Sequence, residues 1–125
     1  MTTKAVWLLD MDAGPIFEQI GRNVRRLLAR GELRRGEKLP SARDLAGTLS
    51  VNPNTVVHAY RQLEAEGILE TRRGLGTFVR EDAPVKAMKD EMLTGSAETF
   101  VTEVRELGVE RDEAMGALKE AWNAR

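Results

Sequence analysis

The spacing of apolar residues changes several times along the chain, and each change marks an element. Ala5-Val6-Trp7-Leu8-Leu9 is a short run rich in strand formers, closed by Asp10 and the turn cluster Asp12-Ala13-Gly14-Pro15, which predicts a strand over residues 5–9. Ile16, Ile20, Val24 and Leu27/Leu28 follow at helical spacing and predict an amphipathic helix over 15–30, with Pro15 in its first turn and Gly31 as its C-terminal cap. The opposite face of that helix carries Arg22, Arg25, Arg26 and Arg30, read as mainly solvated. After a polar connector over 32–38, Pro40 disfavours helix at Leu39, and Ser41 with Asp44 forms a capping-box-like pair. Leu45, Ala46 and Leu49 are the inner stripe of a helix over 41–49, too short to be stable without packing. Ser50-Val51 is a tight turn with Val51 buried. Asn52 then caps a second helix, Pro53 takes its first position, Val56, Ala59/Tyr60 and Leu63 face inward, and Gly67 ends it.

Beyond Gly67 the period falls to two. Ile68-Leu69-Glu70-Thr71 and Thr77-Phe78-Val79-Arg80 read as the strands of a hairpin with the basic, glycine-rich tip Arg72-Arg73-Gly74-Leu75-Gly76. Ala83-Pro84 is a linker. Val85, Met88, Met92, Phe100, Val101, Val104 and Leu107 then recur at mixed spacings of three and four, interrupted at Thr94-Gly95-Ser96 by either a kink or a break recapped by Ser96. Gly108 closes this stretch, and residues 110–122 form a last helix with Ala114, Leu118 and Ala121/Trp122 inward.

Composition narrows the class. The 125 residues suffice for one compact domain, or for a small domain with an oligomerising tail, and 42% of them are hydrophobic, an ordinary globular content. No apolar run approaches the roughly 20 residues a bilayer span needs, and the opening residues lack the features of a secretion signal. The absence of cysteine excludes disulfides and thiolate chemistry and fits a cytoplasmic protein. The net charge of −1 hides an asymmetry. Residues 1–80 carry 13 Lys/Arg against 9 Asp/Glu, whereas residues 81–125 carry 6 against 11. A basic front and an acidic back suit a protein that meets phosphate at one end only.

Two short helices joined by a tight turn, the second opening on small polar residues, form the pattern of a helix-turn-helix, whose second helix enters the DNA major groove leading end first. Ser41, Asn52, Pro53, Asn54 and Thr55 stand at the two helix starts, with His58 and Arg61 farther along the outer side. Asn and Thr can meet base edges or phosphates, and Arg43 can reach guanine O6 and N7 bidentately. The hairpin tip, with Arg72, Arg73 and Gly74, has the composition of a wing, cationic and free of bulk where backbone approaches a duplex. His58 is the sole histidine and has no companion ligands at metal spacing; no Ser/His/Asp set exists, and Gly74-Leu75-Gly76 precedes no helix, so metal, cofactor and catalytic roles are not expected.

The segment Leu39-Pro40-Ser41-Ala42-Arg43-Asp44-Leu45-Ala46, the Val51–Leu63 helix, Glu66-Gly67 and Gly74-x-Gly76-Thr77-Phe78-Val79 together resemble the winged helix-turn-helix of GntR-family bacterial transcription regulators over residues 10–80. The start, Trp7 to Asp10 followed by Pro15-Ile16-Phe17-Glu18-Gln19-Ile20, and the short helical tail resemble the YtrA subfamily, in which two helices replace a large effector domain and mediate dimerisation. The resemblance implies base reading by Arg43, contacts from Asn52, Pro53, Asn54 and Thr55, and minor-groove entry by Arg73-Gly74. Two positions depart from the pattern. Val57 replaces a frequent arginine, which leaves an apolar contact with a thymine methyl and shifts polar contacts to His58 or Arg61. Ser50 replaces the turn glycine, at a cost of about 1 kcal/mol or more if its backbone is left-handed.

The expected fold is α+β, mostly α: a winged helix-turn-helix DNA-binding domain over 1–82, then a helical dimerisation region over 83–125. Met88, Met92, Phe100, Val104, Leu107, Leu118 and Trp122 are the expected dimer contacts. The expected function is a homodimeric regulator, a repressor, of a pseudo-palindromic operator in double-stranded DNA, with no membrane partner. Two alternatives are a protein-interaction module on a winged-helix scaffold and the DNA-binding remnant of a larger fusion regulator. Any small-molecule effector is left open.

Overall fold

Pro15 opens the first helix in the computed structural model, which describes residues 7–125, and it does so as the N-cap, one position before the first helical residue. Helix α1 (Ile16–Ala29) buries Ile20, Val24, Leu27 and Leu28, the stripe its sequence predicts. Gly31, with φ +76°, turns the chain out of α1: its N–H and that of Glu32 donate back to the carbonyls of Leu28 (3.1 Å) and Leu27 (2.9 Å), satisfying the helix end.

The strand expected over 5–9 is not found in its described part. Trp7 to Asp10 pairs with no strand, and Ala5 and Val6 lie outside the described residues. Side-chain amides of α1 take the segment instead. Leu8 N–H donates to Asn23 Oδ1 (2.9 Å) while Asn23 Nδ2 donates to Leu8 O (2.8 Å). Asp10 N–H donates to Gln19 Oε1 (2.7 Å), and Gln19 Nε2 donates to Asp10 O (2.6 Å) and Gly14 O (3.0 Å). A primary amide carries the same donor and acceptor groups as a peptide unit. Two of them, one helical turn apart, therefore stand in for a neighbouring strand. Both side chains are only 4% exposed, and these bonds satisfy them.

Helices α2 (Ala42–Leu49) and α3 (Pro53–Ala65) follow, then β1 (Leu69–Arg72) and β2 (Gly76–Val79), an antiparallel pair in the register Leu69↔Val79, Glu70↔Phe78, Thr71↔Thr77, Arg72↔Gly76. Leu69 and Val79 face the core, so Glu70, Arg72, Gly76 and Phe78 share the outer face. The connector before α2 is more ordered than its composition suggests. Val79 N–H donates to Glu37 O and Leu39 N–H to Thr77 O, each at 2.8 Å, and Lys38 bridges Phe78, so this segment borders β2 as a third strand-like edge.

Two compact units emerge, one ending at Lys89 and the other spanning Asp90–Arg125. The core of the first joins α1, α2, α3 and the hairpin through Val24, Leu27, Leu45, Val56, Leu63, Ile68 and Val79. Ala83 and Met88 belong to that core as well, so the first turns of α4 (Val85–Glu106) pack here although the sequence places the boundary at 82/83. Met88, expected as a dimer contact, is 7% exposed, and its neighbours are the core of its own unit. In the second unit, α4 passes through Thr94-Gly95-Ser96 without a break, and Thr99 Oγ1 donates to Gly95 O (3.0 Å) across one helical turn. Helix α5 (Arg111–Asn123) follows Gly108, with Ala114 buried.

Candidate nucleic-acid interface

The site begins where two helices start. Ser41 caps α2, its Oγ accepting from Asp44 N–H at 3.0 Å; Asn52 caps α3, its Oδ1 accepting from Asn54 N–H at 2.8 Å, with Pro53 as the first helical residue. The Asn52 carbonyl oxygen is thus engaged by the helix it caps. Between them, Ser50 adopts φ 57°, ψ 46°, the left-handed conformation expected of a turn glycine. Leu45 and Ala46 of α2 pack against Val56 and Ala59 of α3. Tyr60 adds a polar tie: its buried hydroxyl donates to Pro40 O at 2.8 Å, fixing α3 to the entry of α2. Burial pushes that phenol above its usual range, so it remains a donor.

The outer side of α3 follows the helical repeat. Asn54, Val57, His58, Arg61 and Gln62 line one open groove, Val57 half-buried and the others exposed. The His58 ring lies 4.2 Å from that of Phe17 on α1, tilted by 52°, so the imidazole is braced from below. Thr55 is half-buried at the leading end. Arg43, on α2, is exposed.

At the hairpin the two arginines part company. Arg73 is exposed at the tip beside Gly74, where φ is +75°. Arg72 folds back: Nε and Nη2 donate to Glu70 Oε2 at 2.9 and 2.8 Å, and the guanidinium lies 4.2 Å from the Phe78 ring centre. On α1 and its C-cap, Arg25 pairs with Glu66, Arg30 with Glu32 (3.1 Å), and Arg26 donates to Asn23 Oδ1 (2.7 Å). Lys38, Arg43, Arg61 and Arg73 have no ion-pair partner among the described residues.

Residues 16–79 match the family model described as bacterial regulatory proteins, gntR family, and cover every element of this interface. The chain belongs to the GntR family. This GntR-family chain is 42% identical to the HTH-type transcriptional regulator YhcF of Bacillus subtilis over 84% of its own length and 88% of that protein's. It is 38% identical to the HTH-type transcriptional repressor YtrA of the same organism, over 85% and 83% of the two chains. Among solved structures, a GntR family transcriptional regulator from Listeria monocytogenes superposes with a TM-score of 0.82 at 32% identity, over 90% of this chain and 98% of that one. The protein is a GntR-type, DNA-binding transcriptional regulator with YtrA among its homologues.

Three residues of the interface escape a reading by pattern. Tyr60 reads only as core, yet its hydroxyl positions the start of α2. Phe17 reads as a helix position, yet it backs His58. Lys38 reads as loop, although it flanks the wing. The aromatic hydroxyl on a proline's own carbonyl leaves no periodic signal, and edge pairing shows only once the hairpin is in place. In the second unit, Met92, Leu107, Leu118 and Trp122 are exposed at 37%, 77%, 44% and 79%, while Phe100 and Val104 are half-buried.

Proposed function

We propose that this regulator is a homodimeric, non-enzymatic repressor that acts in the cytoplasm on a pseudo-palindromic operator. The observation that carries the DNA interface is the set of uncompensated cations Arg43, Arg61 and Arg73, placed on α2, α3 and the wing tip, while Arg25, Arg26 and Arg30 are engaged locally. A cation left without a counter-charge inside the protein is available to phosphate or a guanine edge. Arg43, Asn54 and Thr55 read bases or adjacent phosphates; Ser41, Asn52 and Pro53 set the helix starts; His58 and Arg61 extend the contact along the groove; Val57 meets a thymine methyl. Arg73-Gly74 enters the minor groove.

Dimer formation is supported by the apolar side chains that the second unit leaves exposed, Leu107 and Trp122 foremost. Two-fold symmetry would then present two reading heads to half-sites about 34–36 Å apart, one helical turn of DNA. Repression is the action named for YtrA, and a dimer seated on a promoter would block polymerase by occupancy. A gel shift on the duplex upstream of the protein's own reading frame, beside a scrambled duplex, tests the reading. Arg43→Ala should cost about 1–3 kcal/mol on the cognate duplex and relax specificity at one base pair. An unchanged cognate-to-scrambled ratio would remove Arg43 from the base-reading set.

A further inference from the structure

Lys38 is the cation of this surface that neither the helix pair nor the hairpin tip accounts for. It lies on the edge segment that bonds along β2, its backbone bridging Phe78, and so it shares the outer face of the wing with Phe78, Gly76, Arg72 and Glu70. The two cations of that face are in opposite states. Arg72 is neutralised by Glu70 and laid over the Phe78 ring, so its charge is spent in holding the hairpin together. Lys38 is exposed and has no ion-pair partner among the described residues.

Its position is nonetheless defined. A Cβ built at Gly76 would lie 2.8 Å from Lys38 Cε and 3.5 Å from Nζ, so the bare glycine is the seat on which the lysine stem rests. Gly76 has φ +117°, a conformation that also favours glycine. The ammonium is therefore held over the wing backbone two residues from Gly74, on a segment that three residues later becomes the Ser41 cap of α2. That places a compact point charge between the wing tip and the start of α2. Lysine suits a phosphate there, because it needs no planar, bidentate partner.

We propose that Lys38, seated on Gly76, is a phosphate contact of the DNA interface and fills the role that composition alone would give to Arg72. The inference rests on the DNA-binding reading above, and the test separates the two. Anisotropy titrations of the wild-type protein on its upstream duplex and on a scrambled duplex, over a series of salt concentrations, give the logarithmic salt slope. Lys38→Ala is expected to lower that slope by about one on both duplexes and to weaken both equally. Lys38→Arg should restore the slope. The double variant Glu70→Gln/Arg72→Gln removes a neutral pair and should keep the wild-type slope. Circular dichroism confirms that each variant is folded. A wild-type slope for Lys38→Ala overturns the proposal, as does a loss confined to the cognate duplex, which would make Lys38 a base contact. A double variant that loses as much slope as Lys38→Ala returns the phosphate role to Arg72. A wild-type protein that binds neither duplex in a salt-dependent way refutes the DNA-binding reading itself.

Discussion

Ser50 is the one non-glycine residue with positive φ among those described, at φ 57° and ψ 46°. The turn demands it. The N–H groups of Ser50 and Val51 both return to Ala46 O, the latter at 3.0 Å, and only a left-handed residue lets the chain reverse within that space. Such a conformation costs an L-residue about 1–2 kcal/mol. The Ser50 side chain is exposed and makes no hydrogen bond among the described residues to offset this. Ser50→Gly removes the strain but adds unfolded-state freedom worth about 0.4–1 kcal/mol, leaving a net stabilisation of about 0.5–1 kcal/mol. For a unit of this size that raises Tm by about 3–6 °C. Ser50→Ala keeps the strained backbone and should stay within about 0.5 kcal/mol of wild type. Urea and thermal unfolding followed by far-ultraviolet circular dichroism, at one fixed protein concentration, measure both variants. A Ser50→Gly protein no more stable than Ser50→Ala refutes the strain at this turn, because strain relief is the only stabilising difference assigned to glycine.

Other substitutions probe separate links. Tyr60→Phe removes the tie to Pro40 O and should cost about 1 kcal/mol in urea unfolding, with a further loss of operator affinity as the start of α2 loosens; unchanged stability would show that water replaces the hydroxyl. Leu63→Ala, at 1% exposure among α1, α3 and the hairpin, should destabilise by about 2–5 kcal/mol, and a value under about 1 kcal/mol would mean that the site collapses around the gap. Leu107→Glu with Leu118→Glu should turn a dimer into a folded monomer in light scattering, since both side chains are exposed within one chain; a variant that remains dimeric would move the interface elsewhere.

The helical stripes of α1, α2 and α3, their caps and the hairpin were legible in the sequence because each is governed by neighbours within a few positions. Ser41, Asn52 and Pro53 occupy the roles their residue types favour, and Ser50 takes the conformation its place in the turn requires. Legibility ended where partners come from afar. Trp7 to Leu9 has strand composition, but the hydrogen bonds of Leu8 go to Asn23 and those of the following Asp10 to Gln19, two polar residues inside an apolar stripe. Met88 continues the spacing of the tail, yet it packs with Ala83 in the first unit, and periodicity cannot say which core a helix turn joins. Arg72 and Arg73 are equivalent as letters. Only the register, which sets Glu70 opposite Phe78 and Arg72 opposite Gly76, explains why one is consumed and the other left exposed.

The amide pair on α1 has a consequence for how this chain can vary. Gln19 and Asn23 grip main-chain atoms of Leu8, Asp10 and Gly14, and none of these bonds involves a side chain of the segment they hold. The grip itself therefore asks nothing of the side chains of that stretch; what holds their identity is the packing of Trp7 and Leu9 against the core. The hydrogen-bonding constraint is concentrated in two letters of the helix, where even an isosteric change is severe. An aspartate at 23 or a glutamate at 19 would keep the shape and lose the donors, setting a negative oxygen against the Leu8 or Asp10 carbonyl.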